Sequence, residues 1–301
     1  GLANFGMHAV FVTKLPSHEI GQCAVNSLRR FGADVSCIAR GGSRVGIYFL
    51  EKGASQRPSK VIYDRAGSSI ATADAKDFDW EAILSDADWF HFTGITPALG
   101  PGVARICEEA LACAKRRNIV TSCDLNYRKN LWSREEASRT MEKLMEYVDI
   151  CIANEEDAAD VFGIHAKRSD VTAGKIDRDG YTDVARTLAK RFGFKRVAIT
   201  LRESLSANDN IWSAMLHVAE TEESCFSKKY PVHIVDRVGG GDSFGAGLIY
   251  ASLMDYAPQE AIEFAAAASC LKHSIEGDFN LTSVDEVLKL AGGDGSGRVQ
   301  R

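Results

Sequence analysis

Hydrophobic and polar positions change period along the chain in a regular order. Short apolar runs predict buried strands, and longer segments with apolar residues three or four positions apart predict amphipathic helices. From residue 88 onward, the predicted strands cover residues 88–94, 119–124, 149–153, 195–200 and 232–235. The predicted helices cover residues 101–116, 133–147, 155–162, 183–192, 244–254 and 258–274. Strands that alternate with helices indicate an α/β fold, a doubly wound, mostly parallel sheet flanked by helices.

The segment between residues 35 and 66 has a different pattern. Three short β-type runs are separated there by Gly, Ser, Pro and Lys, at residues 35–38, 45–50 and 60–65. We expect residues 35–66 to form a small β lid, and residues 1–34 together with 67–301 to form the α/β domain. Apolar edge strands invite pairing, so a homodimer or higher homo-oligomer through the lid is expected. An ordinary β excursion without a moving part is the alternative.

Composition excludes several classes of function. A net charge of -5 with no basic block argues against a nucleic-acid surface. No apolar run is long enough for a membrane span, and no signal peptide is visible. The eight cysteines contain no Cys-x-x-Cys pair, which is typical of reduced thiols and predicts a cytoplasmic protein.

Three consecutive glycines follow the predicted strand 232–235. They are Gly239, Gly240 and Gly241, and Asp242 and a helical segment come directly after them. Glycines at such a turn let the backbone approach a ligand, and the first turn of a helix presents unpaired N–H groups to an anion. Asp242 then lies where a carboxylate could accept a hydroxyl proton, or it only caps the helix.

Polar residues also follow two predicted strands, where ligands of parallel sheets bind. After residue 124, Arg128 offers a planar fork for a carboxylate or phosphate, or else pairs with a neighbouring acid. After residue 153, Asn154 and Asp157 could hold Mg²⁺ through water. Alternatively, the acidic residues of this segment complement the N-terminus of the following helix.

The glycine turn resembles the Asp-Thr-x-Gly-Ala-Gly-Asp signature of ribokinase-like carbohydrate kinases, with Arg237 in place of Thr and Gly240 in place of Ala. The resemblance implies that Asp242 is the catalytic base and that the amides of Gly239, Gly240 and Gly241 form an anion hole. Neither replacement removes a backbone donor. The first strand and the glycine-rich sugar loop of that family have no counterpart in this chain, so part of the sugar site is expected to be missing before residue 1.

Other segments are similar to the members that phosphorylate 2-keto-3-deoxygluconate. These segments are residues 46–50, 63–65, 93–99, 124–128 and 276–280. The resemblance therefore implies transfer of phosphate from ATP, with Mg²⁺, to the terminal hydroxyl of this sugar acid. A kinase of a neutral sugar such as fructose and a non-catalytic sugar-acid-binding protein are the alternatives.

The resemblance also implies the residues around each ligand. Around the sugar acid it places Tyr48, Tyr63, Arg65, Arg128, Asp242 and Asp278. Around ATP it places Asn126, Arg128, Thr200, Arg202, Ser204, Gly239, Gly241 and Ala266, although residues 202–205 replace the usual Gly-x-x-Gly. The metal-linked motif falls on Asn154 and Asp157, where Asp157 replaces the usual Glu.

Overall fold

The structure is a computed structural model that describes residues 1–166, 177–295 and 297. The strands are β1 Thr13–Leu15, β2 Ile38–Arg40, β3 Ile47–Glu51, β4 Lys60–Asp64, β5 Trp89–Thr93, β6 Val120–Asp124, β7 Ile150–Ala153, β8 Arg196–Ser204, β9 Asp209–Val218, β10 Glu223–Phe226 and β11 Tyr230–His233. The helices are α1 Glu19–Arg30, α2 Trp80–Ile83, α3 Pro101–Arg116, α4 Arg134–Met145, α5 Asp157–Phe162, α6 Arg178–Phe192, α7 Gly240–Leu253, α8 Pro258–Lys272 and α9 Val284–Ala291, with two short 3₁₀ turns at Ala75–Asp77 and Pro97–Leu99.

The main sheet has the order β10-β9-β8-β7-β6-β5, and β11 pairs with β9. Strands β5 to β8 run parallel, and β9 is antiparallel to β8. Cys151 of β7 packs with α4 and α6 in one core cluster, whereas Ile150 and Ile152 pack with α7 and α8 in another. Because successive strand residues face opposite sides of a sheet, helices cover both faces. The predicted doubly wound α/β fold is confirmed.

The N-terminal strands form two small sheets. β1 pairs with β2 in parallel, and β3 pairs with β4 in an antiparallel hairpin, called the β3–β4 hairpin below. The strand expected at residues 35–38 begins at Ile38 and joins β1 rather than the hairpin. The boundary of the predicted lid at residue 35 stays a prediction.

Strands β8 and β9 are longer than their neighbours. The last residue of β7, Ala153, pairs with Ile199, but β8 continues to Ser204 and stays paired with β9 throughout. Residues 200–204 and 210–214 therefore form a two-stranded extension beyond the end of β7, called the β8–β9 extension below. The extension lies beside the carboxyl ends of the parallel strands.

Helices α7 and α8 pack at close range. A Cβ atom at Gly247 would lie 2.9 Å from Cα of Ala265 and 3.2 Å from Cβ of Ala268. Residues without bulky side chains at this contact bring the two backbones together, which explains a glycine inside a helix despite its cost of about 1 kcal/mol relative to alanine. The contact fixes the position of α7 and of the glycine turn at its start. Within the described residues, none of the helices is long and apolar enough to span a membrane.

Candidate active site

A cavity of about 350 Å³ lies at the carboxyl ends of β6, β7 and β8. This is the edge at which open parallel sheets bind ligands. Its walls come from the loops after β6 and β7, the β8–β9 extension, the start of α7 and the end of α8. The residues that line it include Asp124, Asn126, Arg128, Asn154, Asp157, Thr200, Arg202, Asn210, Trp212, Arg237, Gly241 and His273.

The glycine turn forms one end of this site. Gly239 has a φ of 77°, in the left-handed region, and a Cβ atom there would lie 2.3 Å from the carbonyl oxygen of Asp278. A Cβ atom at Gly240 would lie 2.7 Å from the His273 ring. Among the described residues no side chain caps α7. The first turn of α7 begins beside the cavity, which Gly241 lines, and the N–H of Gly240 donates to the carbonyl oxygen of Arg237 at 3.4 Å. The amino end of a helix favours an anion, as the anion-hole hypothesis requires.

Asp242 lies in the first turn of α7, next to Gly241 of the cavity lining, and is exposed to solvent. Desolvation by the surrounding protein raises the pKa of its carboxyl above the ordinary 3.8, the positive charge of Arg128 opposes that rise, and Asp278 adds to it. The carboxylate therefore has an arginine and a second acid as electrostatic neighbours. A base with a raised pKa is a stronger proton acceptor, which suits an acid-base role.

A second group of predicted site residues lies on the β3–β4 hairpin and directly after it. Tyr48 and Tyr63 face each other across the hairpin, and the Tyr48 hydroxyl donates a hydrogen bond of 2.7 Å to Oδ2 of Asp278. The guanidinium of Arg65 lies 4.4 Å from the centre of the Tyr63 ring. Burial lowers the pKa of Arg65, and Arg128 contributes to the lowering. The structure thus brings together the residues predicted for the sugar acid.

The loop after β6 is held by local hydrogen bonds. Asn126 adopts a φ of 42°, and its Nδ2 donates to Oγ1 of Thr93 at 3.1 Å. Nη1 of Arg128 donates to the carbonyl oxygen of Tyr127 at 2.8 Å. Burial raises the pKa of Asp124 well above its ordinary value, and Asp157 and Asp242 add to the effect. The loop presents an amide, a guanidinium and a desolvated acid to the cavity.

The side chains of Asn154 and Asp157 accept hydrogen bonds from backbone amides, and both residues line the cavity. Oδ1 of Asn154 accepts the amides of Glu156 at 2.8 Å and Asp157 at 3.0 Å, which occupies both of its lone pairs. The prediction that this oxygen holds Mg²⁺ through water is therefore not supported by the geometry. Asp157, which is 2% exposed, accepts the amides of Tyr127 and Asn154, one on each oxygen. Each of its oxygens keeps one lone pair.

A magnesium ion would find oxygen ligands at this place, and oxygen is the ligand type that Mg²⁺ prefers. The negative charge of Asp157 raises the pKa of Asp124, as is typical of two carboxylates beside a cation site. The described part of the chain contains no cluster of three or more His, Cys, Asp or Glu side chains that could enclose a metal. The residues fit a cation that keeps most of its waters and phosphate ligands.

Two predicted nucleotide residues lie outside the cavity. Ala266 is fully buried in the core between α7 and α8, so its side chain contacts only protein. Ser204 is exposed at the end of β8 and does not line the cavity. Arg202 does line it, but its Nη2 pairs with Oε1 of the buried Glu155 at 3.2 Å. Residues 202–204, which stand in place of the usual Gly-x-x-Gly, belong to the continuous strand β8.

The structure adds residues that the sequence did not single out. Asp236, which is 6% exposed, accepts the amides of Val238 and Gly277 at 3.2 Å each and pairs with Nζ of Lys52 at 3.2 Å. It joins the glycine turn to the loop after α8 and to the hairpin. A fully buried lysine, Lys272, lies beside it and donates to the carbonyl oxygen of Ile275 at 2.9 Å. Asp236 is the first residue of the signature motif, so the sequence did contain a signal for this residue.

The model of the family described as "pfkB family carbohydrate kinase" matches residues 1–280 of the chain. The chain belongs to this family. It is therefore a carbohydrate kinase, and the expected ribokinase-like membership is confirmed. A 2-dehydro-3-deoxygalactonokinase of Haloferax volcanii is 30% identical to this family member over 295 residues, which cover 97% of the chain and 85% of that relative.

Solved structures of family members are similar to this chain in sequence and fold. The crystal structure of 2-dehydro-3-deoxygluconokinase from Thermotoga maritima is 53% identical to the pfkB family member described here, with a TM-score of 0.93, and covers 97% of this chain and 87% of its own. A pfkB family carbohydrate kinase from Listeria grayi is 32% identical, with a TM-score of 0.88 and the same shares covered.

Proposed function

We propose that this carbohydrate kinase transfers the γ-phosphoryl group of ATP to the terminal hydroxyl of 2-keto-3-deoxygluconate. The observation that carries the proposal is that Arg128 lines the cavity and that Arg65, which stacks on Tyr63, lies near enough for the two positive charges to repel each other. Arg128 also has Asp124, Asp157 and Asp242 as electrostatic neighbours. The carboxylate of a sugar acid would form an ion pair with one or both guanidinium groups. The 53% identity to a 2-dehydro-3-deoxygluconokinase supports the same substrate.

The proposed roles follow from the positions. Asp242 accepts the proton of the substrate hydroxyl as its oxygen attacks phosphorus. The amides of Gly239, Gly240 and Gly241 stabilise the charge that develops on the transferred group. Tyr48, Tyr63 and Asp278 hold the sugar-acid hydroxyls, and Arg65 and Arg128 hold its carboxylate.

ATP occupies the remainder of the cavity, next to Asn126, Thr200 and Arg202. Asp124 and Asp157 would hold a Mg²⁺ ion through water, and the ion would supply positive charge to the phosphates of the nucleotide. This position, rather than one on Asn154, is favoured because Oδ1 of Asn154 already accepts two backbone amides.

A coupled assay of ADP release with several sugars and sugar acids tests the proposal. We expect activity with 2-keto-3-deoxygluconate and little with fructose. We also expect Asp242→Asn to lower kcat about 100-fold or more with little change in ATP binding. Sugar-acid binding without ADP release in the wild-type protein would indicate a binding protein instead, and an unchanged kcat in Asp242→Asn would reject the assignment of the base.

We also infer that the protein forms a homodimer through the β3–β4 hairpin. Ile47, Phe49 and Ile62 project from one face of this hairpin and are 46%, 60% and 55% exposed. Phe49 and Ile62 are direct cross-strand partners, so the three side chains form one apolar patch. A two-stranded sheet with such a face gains stability by packing against a second copy of itself.

A cytoplasmic location is inferred from the thiols and the cosubstrate. All eight cysteines are free, and five of them are buried. Buried, unpaired thiols and the use of ATP are typical of a reducing compartment.

A further inference from the structure

We propose that Asn210 is a specificity-determining residue that recognises the adenine edge of the nucleotide. The proposal rests on the proposed function in one respect, that ATP is the phosphoryl donor. It concerns the part of the cavity formed by the β8–β9 extension. Of the residues carried over from the family, Thr200, Arg202 and Ser204 lie on β8 of this extension, and none lies on β9.

Register places Asn210 and Trp212 on the cavity face of the extension. Arg202 of β8 pairs with Trp212 of β9, and Ser204 pairs with Asn210. Because side chains alternate along a strand, Asn210 and Trp212 face the same side as Thr200 and Arg202. Thr200, Arg202, Asn210 and Trp212 all line the cavity. The extension thus directs an amide and an indole toward the ligand above the ends of the parallel strands.

The amide of Asn210 is buried and has no hydrogen-bond partner within the described residues. Asn210 is 3% exposed, and neither its Oδ1 nor its Nδ2 is paired. Nε1 of Trp212, which is 8% exposed, is likewise unpaired. Burying such groups without partners is costly, so a ligand that supplies both a donor and an acceptor would recover free energy on binding.

The chemistry of this end of the cavity favours an uncharged heterocycle. Arg202 is neutralised by Glu155, and Arg237 donates to the carbonyl oxygen of Ala207 at 2.7 Å. The Trp212 ring lies 4.9 Å from that of His273, and Ile234 adds an aliphatic side chain to the wall. An aromatic and aliphatic wall with one fixed carboxamide suits a purine base, whose edge combines an amino donor with a ring-nitrogen acceptor.

In the proposed pairing, Oδ1 of Asn210 accepts from the exocyclic amino group of adenine, and Nδ2 donates to an adjacent ring nitrogen. A carboxamide forms these two hydrogen bonds with adenine in other recognition sites. A nucleotide without the amino group leaves Oδ1 buried and unpaired. Sites built in this way reject such an analogue more strongly than apolar pockets reject a missing methyl group.

The test compares ATP with purine riboside 5′-triphosphate, which lacks the exocyclic amino group, in wild type, Asn210→Ala and Asn210→Leu. In the wild type we expect kcat/KM with 2-keto-3-deoxygluconate to be at least tenfold higher for ATP. In both variants we expect the two nucleotides to differ by less than about twofold. Ile211→Ala, the neighbouring β9 residue on the opposite face, should keep the wild-type ratio.

Calorimetric binding of the two nucleotides without sugar separates this proposal from the proposed function. A wild-type preference for ATP that disappears in both variants supports the role of Asn210 even if no phosphate reaches the sugar acid. The proposal is overturned if the variants keep the wild-type ratio, or if they lose the preference for ATP over 2′-deoxy-ATP instead, which would indicate a contact with ribose. A large fall in the thermal stability of the free variants would also overturn it, because it would show that the amide has partners in the protein.

Discussion

The hydroxyl of Tyr48 donates to Oδ2 of Asp278 at 2.7 Å and joins two segments that are 230 residues apart. Lys52 of the same hairpin region reaches Asp236 at 3.2 Å and Glu276 at 3.0 Å. The β3–β4 hairpin is thus tied to the loop after α8, which also borders the glycine turn. In the proposed mechanism, the position of the hairpin, the binding of the sugar acid and the shape of the anion hole are coupled through these contacts.

Tyr48→Phe removes only the donor of this contact. We expect KM for the sugar acid to rise roughly threefold to tenfold, because one hydrogen bond contributes about 0.5–1.5 kcal/mol. The melting temperature should not change, since the pair is exposed at the mouth of the cavity. Steady-state kinetics and thermal unfolding measure the two effects. Tyr256→Phe, at the far end of α7, is the matched control, and an unchanged KM for Tyr48→Phe would remove Tyr48 from the sugar site.

Arg128→Ala should distinguish an anionic substrate from a neutral one. The variant loses a guanidinium that forms no ion pair at hydrogen-bond distance among the described residues, so the sugar acid loses an ion pair whereas fructose loses none. We expect kcat/KM for 2-keto-3-deoxygluconate to fall by tenfold or more beyond any fall for fructose. A substrate panel with both proteins gives the comparison. Equal losses for the two sugars would contradict a carboxylate clamp.

The pH dependence of kcat/KM should report the ionisation of Asp242. Its pKa in the folded protein is raised by burial, and only the ionised form accepts a proton, so activity should decline as pH falls through a value above 3.8. Arg128 lowers this pKa and Asp278 raises it. Arg128→Ala should therefore move the acid limb to higher pH, and Asp278→Asn should move it to lower pH. Shifts in the same direction would contradict the electrostatic arrangement.

Two neighbouring glycines offer a matched test of packing. A Cβ atom at Gly240 would meet the His273 ring at 2.7 Å, whereas one at Gly241 has its nearest neighbour, Oδ2 of Asp124, at 4.0 Å. We expect Gly240→Ala to lower the free energy of unfolding by about 1–3 kcal/mol, as overpacking does. Gly241→Ala should leave it unchanged or raise it, because alanine favours the helix. Denaturant unfolding measures both, and equal stabilities would contradict the close contact.

The apolar patch on the hairpin predicts the effect of a charge placed there. Phe49→Lys puts an ammonium group at the centre of the inferred dimer interface, where no acid of the same face opposes it directly. We expect light scattering to show a monomer for this variant and a dimer for the wild type. Val10→Lys, at another exposed apolar position, is the control. A Phe49→Lys protein that keeps the wild-type mass would place the interface elsewhere.

Local sequence signals accounted for the elements and for the centre of the site. The helices predicted at residues 133–147 and 101–116 carry local start signals: the capping box of Ser133 and Glu136 begins α4, and Pro101 occupies the first turn of α3. The polar residues after β6 and β7 do meet the glycine turn, because carboxyl ends of parallel strands share one edge. The helix signals depend on residues adjacent in the sequence, and the shared edge follows from the general topology of parallel sheets. Both can be inferred from a single sequence.

Contacts between distant segments could not be predicted in the same way. The pairing of Asp236 with Lys52 depends on how the hairpin folds over the sheet. Ala266 was placed near ATP by resemblance, yet its position on α8 faces the core. The strand predicted at residues 195–200 continues to Ser204, because residues 200–204 pair with β9. In each case a tertiary contact, rather than local periodicity, decides which side chain reaches the cavity.

The absence of a side chain at Gly247 has a mechanical consequence. Where two helices touch backbone to backbone, neither can tilt or slide without losing the contact, so we expect α7, which carries Asp242, to move little against α8. In the proposed mechanism, the motion that brings the reacting groups together then belongs to the β3–β4 hairpin and the bound sugar acid.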